Sequence, residues 1–113
     1  GPDQRIYREP DKIISEQPVK PVTYSVVKSG IIGLTRYLAT YWADQKVRAN
    51  AVAFGGVFID QDNAFVDRLT NLIPLGRMAD QDEYKSTVVY LMSDASSYMT
   101  GSIISVDGGR TSW

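Results

Sequence analysis

A chain of 113 residues in which 43% are apolar and 22% charged has the make-up of one small globular domain rather than a disordered segment. Its formal net charge is −1 with Lys and Arg scattered singly, so no basic block offers phosphates a footprint and nucleic-acid binding is not expected. There is no Cys and no His, which excludes disulfides, thiol catalysis, histidine triads and the commonest zinc ligand. Acid–base chemistry must therefore come from Tyr, Lys, Asp or Glu, and no metal site is expected.

Residues 1–21 mix charge with Pro2, Pro10 and Pro18 and keep no lasting period, which predicts a loop-rich lead-in with at most one turn of helix. Pro21 then stands at a natural helix start. From Val22 to about Ala43, Val27, Ile31, Leu34, Leu38 and Tyr41 recur at three- and four-residue steps, the signature of a helix. Val26, Ile32, Tyr37 and Trp42 widen the stripe until the helix is apolar nearly all round, so it needs cover on more than one side. Lys28 and Arg36 interrupt the same stretch, which makes it a poor membrane span.

Arg48 to Phe54 reads as a strand centred on Val52 and closed by Gly55-Gly56, although Ala49, Ala51 and Ala53 weaken its β-propensity. A short helix is predicted from Asp62 to Leu72, stopped before Pro74. Asp80 followed by Glu83 is a capping-box arrangement, and Tyr84, Val88, Leu91 and Met92 predict a helix from about Asp82 to Ser93. Ser102 to Val106 reads as a second strand, closed by Asp107-Gly108-Gly109. Two strands separated by helices imply parallel βαβ organisation. Parallel sheets are buried on both faces and need more than two strands, so this pattern reads as part of a larger α/β fold.

Tyr24 and Lys28 lie four apart at the start of the long helix and share a face. An ammonium beside a phenol favours the phenolate and lowers its pKa from ~10, fitting it to exchange a proton with a carbonyl or hydroxyl oxygen. Spacing alone is weak evidence, because chance supplies roughly 0.3 such pairs in a chain with seven Tyr and five Lys. The acidic run Asp80, Asp82, Glu83 reads as a helix cap, and Asp107-Gly108-Gly109 as a turn.

Five segments in order raise that weight. Tyr24-Ser25-Val26-Val27-Lys28-Ser29-Gly30 resembles the active-site helix of short-chain dehydrogenases/reductases, and Val47-Arg48-Ala49-Asn50-Ala51-Val52 resembles a strand of that family. Gly55-Gly56-Val57 is similar to its cofactor-facing turn, and Pro74-Leu75-Gly76-Arg77-Met78 to a later turn. Leu91 to Gly101 with Val106-Asp107-Gly108-Gly109 resembles its ending. The resemblance implies the C-terminal part of a Rossmann-like, doubly wound parallel sheet and an NAD(P)-dependent oxidoreductase that interconverts hydroxyl and carbonyl groups. It makes Tyr24 the catalytic acid/base, Lys28 both its partner and the holder of the nicotinamide ribose, and Gly55, Gly56 and Val57 the turn facing the nicotinamide.

The same resemblance implies a small-molecule substrate, a cytoplasmic setting and a homo-oligomer formed through the 22–43 helix and the last strand. The opening Gly1 to Tyr7 run and the Tyr37 to Trp42 helix end are similar to bacterial members from surface-sugar pathways, which points to a sugar or nucleotide-sugar substrate. Two departures stand out. Phe54 replaces the family's usual Pro, and no Gly-rich phosphate loop occurs among the nine glycines. The chain by itself is therefore expected to bind a dinucleotide poorly, and 1–113 is expected to be one partial domain. A dehydratase or epimerase sharing the Tyr–Lys pair is a further reading. A non-catalytic self-association module is the alternative from another class.

Overall fold

The computed structural model describes residues 4–13 and 20–113; the remainder of the lead-in, 1–3 and 14–19, lies outside the described residues. One helical turn, α1 (Gln4–Tyr7), is followed by the long helix α2 (Val22–Tyr41). Strand β1 (Ala51–Phe54) and strand β2 (Ile103–Val106) are separated by helices α3 (Asn63–Thr70) and α4 (Lys85–Met92). The strands pair in parallel with Ala51 opposite Ile103 and Phe54 opposite Val106, as the alternation of strands and helices predicts. Beyond β1 the backbone makes a further parallel bridge between Val57 and Ala79.

α2 begins at Pro21, whose φ of −61° suits a helix entry, and runs 20 residues, about 30 Å at 1.5 Å per residue. It ends through Trp42 into a single 3₁₀ turn, where Lys46 takes a left-handed φ of 59°. The all-round apolar pattern has the expected consequence. Within α2 only Thr35 and Ala39 are buried, while Val22, Val26, Val27, Leu34, Tyr37 and Tyr41 stand exposed. The radius of gyration, 17.2 Å, exceeds the roughly 13 Å of a compact chain this long, so these elements do not close around a core of their own.

β1 is shorter than the predicted strand because residues 48–50 are tied to the run 91–102 in another way. The Ala49 carbonyl accepts from Gly101 N–H at 2.7 Å and the Ala49 N–H donates to Thr100 Oγ1 at 3.1 Å. Gly101 then turns the partner chain away at φ 73°, a conformation that glycine takes without steric cost. Asn50 spans the same gap, donating to Met99 O and accepting from Ser102 N–H. Arg48 reaches across to donate to Leu91 O, Ser93 O and Met99 O, collecting carbonyls at and beyond the end of α4.

α3 starts where Asp62 Oδ2 accepts the Phe65 N–H at 3.1 Å, an N-cap at the predicted boundary itself, so the helix begins one residue inside it. α4 starts three residues later than predicted. Glu83 does reach back to the Asp80 N–H at 2.8 Å, as a capping box requires, but its two oxygens also grip the Arg77 guanidinium at 2.6 and 2.7 Å. That grip keeps 81–84 as a turn. The predicted apolar face of α4 is largely open, with Met92 81% exposed.

The Arg77 hydrogen bonds, helped by the Asp80 N–H, hold the Glu83 carboxyl down at about 2. A depressed carboxyl contributes stability in full above its ordinary 4.5 and loses it as pH falls from there through about 2. Thermal melts of Glu83→Gln and of the parent should therefore differ at pH 7 and converge near the acid end of that window. A gap that persists unchanged at the acid end would show that the charge on Glu83 is not what holds the turn.

Candidate active site

The start of α2 and the turn after β1 come together at one cleft of about 380 Å³. Tyr24, Gly55, Gly56 and Val57, four of the five residues singled out from the sequence, line it. Lys28, the fifth, lies one helical turn along with its Nζ 5.6 Å from the Tyr24 ring centre and is not among the residues that line the cleft. Tyr24 is 45% exposed, so its hydroxyl-bearing ring is open to a ligand.

The two glycines also make room for the chain itself. A Cβ on Gly55 would come within 2.9 Å of Asp107 Cα, and one on Gly56 within 2.9 Å of Met78 Cε. Their missing side chains make room for the chain's own body, fixing the turn against the end of β2. The Gly55 N–H continues the ladder to Val106 O at 2.9 Å. Next, the Ala79 N–H donates to Gly56 O and the Phe58 N–H to Ala79 O, so the intervening Val57 N–H points away from Ala79. That direction suits a backbone donor for a ligand amide, and the site fits the nicotinamide end of a dinucleotide on this count.

Several neighbours were not legible from sequence. Lys20 sits with its Nζ 4.4 Å from the Tyr24 ring centre, a cation–π contact from just outside the helix. Gln61 closes the 57–61 loop, donating to Val57 O at 2.8 Å while its Oε1 accepts the Ile59 N–H at 2.9 Å. Ile6 of α1 is buried against the cleft and its carbonyl accepts from Arg68 Nε of α3 at 2.9 Å, tying the lead-in to α3. The only sequence hint was a Lys four residues before Tyr24, mirroring Lys28 four after it. Phe54, the departure from the family's Pro, ends β1 with its ring 4.4 Å from the Tyr84 ring and its edge in the cleft.

Comparison with known proteins shows which family the chain resembles. Residues 14–111 match a family model described as enoyl-(acyl carrier protein) reductase. The chain is 41% identical to an NADP-dependent mannitol dehydrogenase of Hypocrea jecorina, over 87% of this chain and 38% of that protein. It is 39% identical to a 3-oxoacyl-[acyl-carrier-protein] reductase of Aggregatibacter actinomycetemcomitans, over 78% of this chain and 37% of that one. A short-chain dehydrogenase of Leptospira borgpetersenii, solved with bound NAD+, superposes with a TM-score of 0.80 at 35% identity, over 97% of this chain and 39% of that one. The chain belongs to the short-chain dehydrogenase/reductase family. It spans about two fifths of the length of these relatives.

Proposed function

We propose that this chain supplies the proton-transfer pair and the nicotinamide-facing turn of an NAD(P)-dependent oxidoreductase that interconverts a hydroxyl and a carbonyl. The observation that carries the reading is that Tyr24 opens into the same cleft as Gly55, Gly56 and Val57, some thirty residues further along a chain of this family. In the reductive direction the Tyr24 hydroxyl gives its proton to the carbonyl oxygen of the substrate, and in the oxidative direction it takes that proton back. Lys28, on the same face of α2, stabilises negative charge on the Tyr24 oxygen and holds the ribose hydroxyls next to the nicotinamide. The Val57 N–H orients the carboxamide. When bound, the nicotinamide supplies or accepts the hydride. The pyrophosphate and adenosine ends of the dinucleotide fall to parts of the family fold outside the matched two fifths.

The reading is supported by relatives whose names specify NADP-dependent mannitol and NADH-dependent L-xylulose chemistry, and a sugar or sugar-alcohol substrate is proposed on that ground. The test is Lys28→Met in the full-length protein carrying this chain, followed by nicotinamide absorbance. Loss of charge-assisted hydrogen bonds to the ribose should raise the cofactor KM about tenfold or more. An unchanged KM and kcat would remove Lys28 from the site. A homo-oligomer through α2 is proposed as well, supported by its bare apolar side chains. Sedimentation of Leu34→Glu should show a smaller species than the parent, and an unaltered species would locate the interface elsewhere.

A further inference from the structure

The turn that faces Tyr24 runs on into a loop, 57–61, that a single side chain closes. The Ala79 N–H donates to Gly56 O at 3.1 Å and the Phe58 N–H to Ala79 O at 2.9 Å, so the bridge to Ala79 uses the groups on either side of Val57. In extended backbone the N–H and C=O of one residue point to the same side. Both groups of Val57 therefore turn away from Ala79.

Gln61 takes the carbonyl of that pair. Its Nε2 donates to Val57 O at 2.8 Å, and its Oε1 accepts the Ile59 N–H at 2.9 Å. The chain folds back this tightly because Asp60 takes a left-handed φ of 56°, which a short polar side chain tolerates better than most. The two partners also fix which end of the amide is which. Turned over, Nε2 would face the Ile59 N–H and Oε1 would face the Val57 carbonyl, donor against donor and acceptor against acceptor. One Nε2 hydrogen and one Oε1 lone pair stay uncommitted among the described residues.

Gln61 is partly exposed and stands with Val57 in the wall of the Tyr24 cleft. The loop thus carries a backbone donor, Val57 N–H, beside a side-chain acceptor, Gln61 Oε1, while Val57 O is already engaged. A donor beside an acceptor complements a primary amide, which offers one of each. We propose that Gln61 is a cofactor-recognising residue, its Oε1 accepting from the NH2 of the nicotinamide carboxamide while the Val57 N–H donates to the carboxamide oxygen. This rests on the proposed binding of a nicotinamide in the cleft and names the group there that tells a carboxamide from its look-alikes. An acetyl group in the same place keeps the oxygen and exchanges the NH2 for a methyl, which leaves Oε1 facing a group that donates nothing.

The test is calorimetric titration of the full-length protein with NAD+, NADP+ and the 3-acetylpyridine counterpart of each, which reads affinity without turnover. The parent should bind the carboxamide form of its cofactor about 3- to 10-fold more tightly than the acetyl form, the difference made by one neutral hydrogen bond. In Gln61→Ala the two forms should bind within about twofold of each other. A side chain that merely fastened the loop would weaken both forms alike and leave the parent's preference standing, and that result overturns the proposal. The same outcome follows if the freed Val57 O takes the NH2 instead. Equal affinity for the two forms in the parent overturns it as well. Gln61→Met, which keeps the length of the side chain without its amide, is read in the same way should the alanine loop hold neither form. A parent that binds neither NAD+ nor NADP+ would instead remove the nicotinamide reading of the cleft, and this proposal with it.

Discussion

Replacing Tyr24 with Phe in the full-length protein should lower kcat by about 10²–10⁴-fold, the range that a positioned acid–base group contributes. The substitution keeps the ring, and with it the cleft wall and the contact 4.4 Å from the Lys20 ammonium, because a cation is drawn to the face of either ring. Only the exchangeable proton is lost. In the proposed reaction that proton moves in the transition state and contributes little to holding the ground state, so kcat and kcat/KM should fall together while cofactor affinity stays within about twofold. Steady-state kinetics and a fluorescence titration with reduced nicotinamide cofactor measure the two quantities. A kcat within about threefold of the parent would assign the proton to another group.

Arg48→Ala should cost the fold about 2–3 kcal/mol, or roughly 4–12 °C in the melting temperature of the full-length protein. The last carbonyls of a helix have no partner within it, and the negative end of the helix dipole favours a cation there. Arg48 meets both needs from the segment just before β1, with Leu91 O at 2.7 Å, Met99 O at 3.1 Å and Ser93 O at 3.3 Å. Arg48→Lys should recover less than half of the loss, because one ammonium cannot reach three carbonyls that a planar fork spans. A melting temperature for Arg48→Ala within about 2 °C of the parent would show that these bonds merely replace equivalent ones to water.

What could be read from the amino-acid order was what repeats or turns locally. The three- and four-residue spacing located α2, and the strand–helix alternation implied the parallel pairing of β1 with β2. The family resemblance singled out Tyr24, Gly55, Gly56 and Val57, and these four line one cleft. Contacts between segments distant in sequence were not legible. Nothing near Ile6 announces that its carbonyl is held by Arg68 of α3, and nothing near Gln61 announces that it fastens the Val57 turn. Tyr84 fell on a predicted apolar face, where its ring belongs, but pattern alone cannot tell whether a buried hydroxyl finds a partner. Gly55 and Gly56 were legible as a turn after β1, but that a Cβ on either would meet Asp107 or Met78 shows only in the folded chain.

The register of β1 on β2 also orders events in time. It joins residues about fifty positions apart, so a long loop must close before any rung of the ladder forms. Helices settle within about a microsecond, whereas pairings of high sequence separation come much later. The turn at Gly55-Gly56 is seated on Val106 and Asp107, residues from the last tenth of the chain. By that ordering Tyr24 stands on an early helix while the wall it faces waits on the ladder, so the cleft is expected to form late among the described residues.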